Sequence, residues 1–341
     1  MHSLLAPAPE LVELEQAIFF IKDHFQRSLA QALRLTRVTC PLFVDRNSGL
    51  QDNLNGVETP VRFRATQLGD RHLEVVQSLA KWKRYALFRY GVPAGRGIYC
   101  DMNALRPDEG DLASAIHSVH VDQWDWELAI RREDRTLATL QHTVTRIYAA
   151  MRRTERAVCR RFGMTPVLPR RITFVHSEDL CRQHPHLTPR QREDLACRLH
   201  QAVFLVGIGS PLPDGGVHDG RAPDYDDWST PTDDGRHGLN GDILVWSPVL
   251  QRALELSSMG VRVDAEALVR QCTARGCPDR LNLPWHRLLL DGRLPYSVGG
   301  GIGQSRLCMF LLRRRHIGEV QASLWPDHVL DRCRREQIHL L

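Results

Sequence analysis

The chain has 341 residues, 43% of them hydrophobic and 25% charged, with a formal charge of +5. These are the proportions of an ordinary folded protein that buries roughly 75% of its extended surface, and no linker or low-complexity tract divides residues 1–341, so a single domain is expected. No apolar run approaches the roughly 20 residues of a membrane span, and Glu10, Glu13 and Glu15 leave no basic segment of a secretory signal near the start, which makes a cytoplasmic protein the expectation.

Nine cysteines, an odd number, do not read as a disulfide framework. Cys272 and Cys277 lack a second ligand pair at zinc-site spacing. The basic runs at Arg313–Arg315 and Arg332–Arg335 are expected to be solvated helix faces rather than a nucleic-acid surface.

In chain order, Leu14, Ile18, Ile21, Phe25 and Leu29 recur at spacings of three and four and predict a long amphipathic helix from Pro9 to about Arg34. A strand pattern follows over Leu35–Val44, broken by Pro41. Proline cannot donate to a ladder, so this strand belongs at an edge or a subunit contact, and a homodimer is expected. Gly49–Gly56 is a turn-rich loop around Asp52. The strand Leu73–Gln77 leads into a helix that Ser78 can cap, with Lys81 and Arg84 sharing one face, Lys83 pointing elsewhere, and lysines of this kind ordinarily solvated.

A further strand runs from Gly97 to Arg106, where the following proline stops it. From His117 to Glu127 the alternation has period two and places Val119, Val121, Gln123 and Asp125 on one face. Burying Gln and Asp on an apolar face is costly without partners, so this face should line a polar pocket. A helix over Leu137–Phe162 carries the stripe Leu140, Val144, Ile147 and Met151. It is followed by a strand at Ile172–Val175, a helix started by Thr188-Pro189, and an apolar strand at Ala202–Gly207.

Arg221–Pro231 is dense in carboxylates and rings and reads as a shaped loop. Asp242 stands before the run Ile243–Trp246, and Glu255 opens a strand to Val263, with helices expected at Val249–Leu254 and Ala265–Cys272. Two strand-borne carboxylates that converge suit Mg²⁺ bound with a triphosphate, because Mg²⁺ takes few protein oxygens and keeps phosphates and waters. Asp242 and Glu255 are therefore the metal candidates, against the plainer reading of both as surface charges at strand ends. The run Gly299-Gly-Gly-Ile-Gly-Gln-Ser-Arg306 before a helix lets backbone approach a ligand, yet it lacks the lysine of a phosphate-binding loop and the context of a dinucleotide fold.

Three of these features resemble, in order, the signatures of class II aminoacyl-tRNA synthetases: the long helix and strand with Pro41, the run Arg106-Pro-Asp-Glu109, and the glycine run ending in Arg306. Within that superfamily the match narrows to ammonia-dependent asparagine synthetases. Gln51–Leu54, Ser78–Arg84, Ala104–Glu109, Val121–Glu127, Val203–Gly209, Arg221–Pro231, Leu239–Trp246, Glu255–Gly260 and Gly299–Arg306 all look like runs of that family, and Gln77 departs from it where histidine is usual.

The resemblance implies an α+β fold with a mostly antiparallel sheet flanked by helices. It also implies activation of the β-carboxylate of aspartate by ATP with Mg²⁺, followed by attack of free ammonia. The residues it implies for aspartate are Asp52, Lys83, Gln123, Asp125, Arg221 and Ser258. For ATP they are Arg106, Glu109, Asp226, Asp242, Glu255, Arg262 and Arg306. Catalysis would fall to Arg106, Arg306, Asp52 and Asp125, with one of the two aspartates accepting the proton of ammonium. Histidine at position 2 leaves no exposed N-terminal cysteine for glutamine hydrolysis, and the helix near Leu11 leaves no room for an anticodon-binding module ahead of the core. Rival readings are a binding or regulatory module that has lost its chemistry, and an aminoacylating enzyme.

Overall fold

The computed structural model describes residues 10–54, 58–108 and 112–341. The first helix, α1 (Glu10–Leu33), buries the predicted stripe from Leu14 to Leu29. The chain then forms β1 (Leu35–Arg37) and β2 (Phe43–Asp45), with Pro41 in the gap between them. The single strand expected over Leu35–Val44 is thus two, because proline at position 41 interrupts the ladder. β3 (Arg62–Phe63) and β4 (Leu73–Val75) complete a small sheet of order β2-β4-β3. After α2 (Ala80–Arg89) come β5 (Gly97–Leu105), β6 (His120–Ala129), α3 (Leu137–Phe162), β7 (Thr173–His176), α4 (Ser177–Gln183), α5 (Pro189–His200) and β8 (Ala202–Val206).

The second half holds β9 (Asn240–Ser247), β10 (Arg252–Val261), α6 (Ala265–Ala274), α7 (Pro284–Leu290), β11 (Ser297–Gly303), α8 (Gln304–Leu311) and α9 (Asp327–Arg335). The main sheet has the order β1-β5-β6-β11-β10-β9-β8-β7. It is parallel only at its two outer pairings, β1 with β5 and β7 with β8, and antiparallel across the six strands between. This is the mostly antiparallel sheet flanked by helices that the sequence led us to expect.

Because successive strand residues face opposite sides, the sheet divides two environments. One face carries Trp124, Trp126, Ile243, Val245, Met259, Val261, Val298 and Ile302, which pack with Phe25, Val144, Ile147 and Leu307 of α1, α3 and α8 in the main core. The other face carries Gln123, Asp125, Glu127, Asp242, Ser258 and Arg262. Helices α2, α6 and α7 lie on this polar side and pack around Trp285 in a separate apolar cluster.

Three local expectations change. Residues 249–254 do not form a helix: they make a turn, and β10 begins at Arg252 and pairs with β9. Ser78 is not the cap of α2, since Leu79 holds that position without a side-chain bond; Ser78 accepts from Ala80 N at 3.3 Å and its hydroxyl donates to Asp52 at 2.5 Å, so it links helix and loop. Lys81 is buried rather than solvated, because Asp224 lies 2.7 Å from its ammonium.

Phe25 is fully buried and its ring centroid lies 4.7 Å from that of Trp124. Truncation there removes core contacts and leaves a cavity, so Phe25→Ala should destabilise the fold by about 3–5 kcal/mol in urea denaturation. A loss below about 1 kcal/mol would show that α1 is not seated on the sheet through this residue.

Candidate active site

On the polar face, side chains of β6, β10, β11 and α2 and of the loops around Asp52 and Arg221 line a cleft of about 820 Å³. Its walls include Asp52, Lys83, Arg106, Gln123, Asp125, Arg221, Asp226, Glu255, Ser258 and Arg262. A second cavity of about 630 Å³ lies where β11 turns into α8 and is lined by Arg106, Gln123, Glu255, Gly301 and Arg306 among others. The two share Arg106, Gln123, Glu255 and Gly301, so residues up to two hundred positions apart in sequence meet at one junction. Asp242 sits directly behind this wall, bonded to Arg221. Glu109 lies outside the described residues.

Strand geometry explains the convergence. Asp242 is paired with Ser258 across β9 and β10, and Glu255 joins Ser258 on the cleft face despite an odd spacing of three. A register shift between Glu255 and Ser257 is the reason, since a bulge inserts one residue and resets the alternation. In β11, glycines permit the crossing of side chains from its neighbours. A Cβ on Gly301 would lie 2.7 Å from Asp125 Oδ1 and closer still to Gln123, and a Cβ on Gly299 would lie 2.5 Å from Arg262 Nη2. The glycine run therefore occupies a strand, and the helix begins after it at Gln304.

The charges are paired inside the protein. Lys83, nearly inaccessible, donates to Gly300 O at 2.9 Å and faces Asp125 at 3.3 Å. Arg221 donates to both carboxylate oxygens of Asp242, at 2.6 and 2.5 Å. Arg306 reaches the carbonyl and the carboxylate of Glu255, each at 3.3 Å. Arg106 donates through Nε to Gln77 O at 2.7 Å. Arg262 is enclosed between Glu127, at 2.8 Å, and Asp226. Asp226 and Arg262 line the inner cleft beside Asp52 and Lys83, and that cleft adjoins the cavity that holds Arg306.

Burial sets the electrostatics. Burial pushes the Asp242 carboxyl up, Arg221 pulls it down and Glu255 pushes it up again, with a balance at about 7. Burial also raises Asp226, against the pull of Arg262 and Arg221, whereas for Glu127 burial is outweighed by Arg262 and the carboxyl is lowered. Burial, with Asp52 and Asp226 nearby, keeps the Tyr225 phenol protonated well beyond its usual range.

Four lining residues were not singled out from the sequence for this role: Ser78, Glu58, Asp219 and Tyr225. Tyr225 lies within the ring-rich and acid-rich loop that did stand out and Asp219 just before it, so the density of that segment was their signal. Glu58 carried none.

A model of the aspartate–ammonia ligase family matches residues 12–337 of the chain. The chain belongs to that family. A curated aspartate–ammonia ligase of Bacteroides thetaiotaomicron is 52% identical over 336 residues, 98% of this chain and 97% of that protein. Among solved structures, asparaginyl-tRNA synthetase of Pyrococcus horikoshii complexed with asparaginyl-adenylate superimposes with a TM-score of 0.66 at 15% identity, over 94% of this chain and 74% of that one. Asparaginyl-tRNA synthetase of Entamoeba histolytica gives 0.65 at 16% identity, over 92% and 67%. At that identity these two establish the fold, which is that of the class II aminoacyl-tRNA synthetases, and the ligase family shares it.

Two measurements test the geometry. Gly301→Ala should fold but displace Gln123 and Asp125, lowering turnover by about 100-fold, as misplacement of a reacting group does; a variant with unchanged turnover would mean that the crossing at Gly301 is idle. Asp242 titrates near 3.8 when unfolded and at about 7 in the fold, so the fold favours its protonated form. The stabilisation it contributes is complete below about pH 4 and is lost as pH rises through about 7. Asp242→Asn, neutral throughout, should flatten that part of a denaturation midpoint against pH curve. A variant whose curve still follows the wild type would locate the titration elsewhere.

Proposed function

We propose that this chain makes L-asparagine from L-aspartate and ammonia at the expense of ATP, through a β-aspartyl adenylate. The observation that carries this reading is the meeting of Arg106 and Arg306 around one cavity that opens, past Glu255 and Gln123, into a cleft of alternating cations and carboxylates. A carboxylate is a poor electrophile because oxide does not leave. An oxygen of the β-carboxylate attacks the α-phosphorus of ATP, pyrophosphate departs, and the carbonyl carbon acquires AMP as its leaving group. Ammonia then attacks that carbon, AMP leaves, and the nitrogen gives up one proton.

Each step asks for charge that the site holds. Bringing a carboxylate to an anionic phosphate needs positive charge where negative charge accumulates, and Arg106 and Arg306 supply it through planar guanidinium groups. Aspartate carries an ammonium and two carboxylates. Lys83 and Arg221 are the cations for its carboxylates, Asp52 and Asp125 the anions for its ammonium and for the incoming ammonium ion, and Gln123 and Ser258 the neutral polar groups between. One of those two aspartates takes the proton that turns ammonium into the nucleophile. Asp226 and Arg262, paired with each other and with Glu127, stiffen the wall beside this pocket.

The donor set fits Mg²⁺. Among the described residues no group of three or more His, Cys, Asp or Glu is placed to hold a metal, which suits an ion that takes one or two carboxylates and completes its shell with phosphates and water. Asp242 and Glu255 would be those carboxylates; burial first, and the nearby Glu255 after it, raise the Asp242 carboxyl against the pull of Arg221, and a cation would offset both. Bound with ATP, Mg²⁺ would neutralise phosphate charge.

A homodimer is part of this reading. Leu42, Phe43 and Phe63 are large, exposed and apolar beside Pro41, with the rings of Phe43 and Phe63 at 5.1 Å, and a patch of that kind marks a contact surface. No helix among the described residues is long and apolar enough to cross a membrane, and we place the enzyme in the cytoplasm, with one catalytic domain and free ammonia rather than glutamine as its nitrogen source.

The decisive assay is exchange of labelled pyrophosphate into ATP, which should require aspartate, followed by asparagine formation with ammonium. With oxygen-labelled aspartate, the label reaching AMP should come from the β-carboxylate. Exchange driven by another amino acid, or label transfer from the α-carboxylate, overturns the reading. Arg106→Ala should lower exchange by about 100-fold or more, as loss of a transition-state donor does, while leaving the dimer folded; an unfolded variant would make Arg106 structural.

A further inference from the structure

Among the described residues, Arg306 is tethered at its tip only by two 3.3 Å contacts to Glu255, so its aim depends on how firmly its own backbone is held. Arg306 is the third residue of α8, and the residue before that helix, Gly303, has no side chain with which to satisfy the unpaired N–H groups of the first turn. The satisfaction comes from the sheet. On β6, Asp122 is next to Gln123 and turns away from it, toward α1 and α8, and with Ser305 and Gln321 it also borders the cavity that holds Arg306.

There its buried carboxylate accepts from Ser305 N at 3.1 Å, Ser305 Oγ at 2.8 Å, Lys22 Nζ of α1 at 3.0 Å and Gln321 Nε2 at 3.3 Å. The same Gln321 amide reaches Ser305 Oγ at 3.1 Å. Since a carboxylate only accepts, the Gln321 amide must present its NH₂ to this cluster, which fixes its orientation. A second strand, β5, adds Asp101, whose Oδ1 accepts from Gln304 Nε2 at 3.2 Å.

We propose that Asp122 is a positioning residue for Arg306, a helix cap supplied from the back of the sheet that sets where the nucleotide-facing guanidinium emerges on its front edge. Lys22 balances the buried charge and ties the cap to the long helix α1, and Gln321 ties it to the C-terminal segment. The proposal rests on the reading of Arg306 as an ATP contact. A cap that only stabilised α8 would affect both substrates alike. One that aims Arg306 affects the nucleotide alone, because a displacement of about 1 Å is enough to lose much of a contact's effect on rate.

The experiment combines steady-state kinetics with calorimetric binding of ATP. Asp122→Asn keeps the size of the side chain but loses its charge and half its acceptor capacity. It should raise the KM and the Kd for ATP by about tenfold, the order expected for loss of a charge-assisted bond, with the KM for aspartate within about twofold. In an Arg306→Ala background the same substitution should change ATP binding by less than about twofold, since contributions acting through one group do not add.

Equal shifts for both substrates, or an undiminished effect without Arg306, overturn the proposal and make Asp122 a stabilising residue only. If Asp122→Asn does not fold, Ser305→Ala decides, since it removes one hydroxyl donor and keeps the backbone bond. It should weaken ATP about threefold and aspartate not at all, and no change in ATP binding overturns the proposal. A wild-type protein that binds ATP without aspartate-dependent exchange would sink the proposed reaction, while the binding comparison would still decide the role of Asp122.

Discussion

The site exists because β11 presents almost no side chains where β6 and β10 must reach across it. Glu127 on one neighbour and Arg262 on the other bond at 2.8 Å over Gly299, and Gln123 and Asp125 occupy the space a Cβ on Gly301 would fill. Any larger residue at either position forces charged groups apart in a region with little water to replace the lost bond. Ordinarily glycine weakens a strand. Here its cost is offset by ladders to β6 and β10 that run the length of β11 and by the apolar packing of Val298 and Ile302 on the other face.

The bulge in β10 complements this device. A strand with unbroken alternation would send Glu255 and Ser258 to opposite faces, leaving one of them in the apolar core with Leu256 and Met259. Shifting the register once puts both in the cleft while Leu254, Leu256, Met259 and Val261 all remain buried in the core. The sheet thereby keeps a continuous apolar back and a continuous polar front through its central strands. Asp122 is an exception on the back, and four donors compensate it there.

What the sequence revealed follows the range of the interactions concerned. Helices α1 and α3 and the alternation of β6 are written in local periodicity, and the capping box of Thr188 and Gln191 starts α5 where Thr188-Pro189 indicated. Membership of the family was legible because nine short runs carry it. The rest depends on partners far away in the chain. Lys81 looks like any helix lysine until Asp224, 143 residues on, is seen beside it. Residues 249–254 have an apolar spacing that suits a turn of helix, yet pairing with β9 takes Arg252 onward into a strand. Arg262 is among the residues the resemblance implies for ATP, and only the approach of Glu127 from β6 shows it held between carboxylates deep in the cleft.

Buried ion pairs are a poor way to stabilise a fold, because desolvation can exceed the attraction, while removing one member leaves the other uncompensated at about 3–5 kcal/mol. The pairs in the cleft are better understood as places held for ligands. Arg221 rests on Asp242, Arg306 on Glu255 and Lys83 on Asp125, so these three cations already have an anion each, while Arg106 holds the Gln77 carbonyl. On the proposed reading, an incoming anionic substrate would exchange one carboxylate partner for another, and the displaced Asp242 and Glu255 would become available to a divalent ion. Such an exchange keeps the dipoles of the site fixed throughout, which is the condition for electrostatic stabilisation without reorganisation at the moment of reaction. Arg262 is buried and held on two sides by Glu127 and Asp226, and on the same reading its part is to hold the wall beside the others.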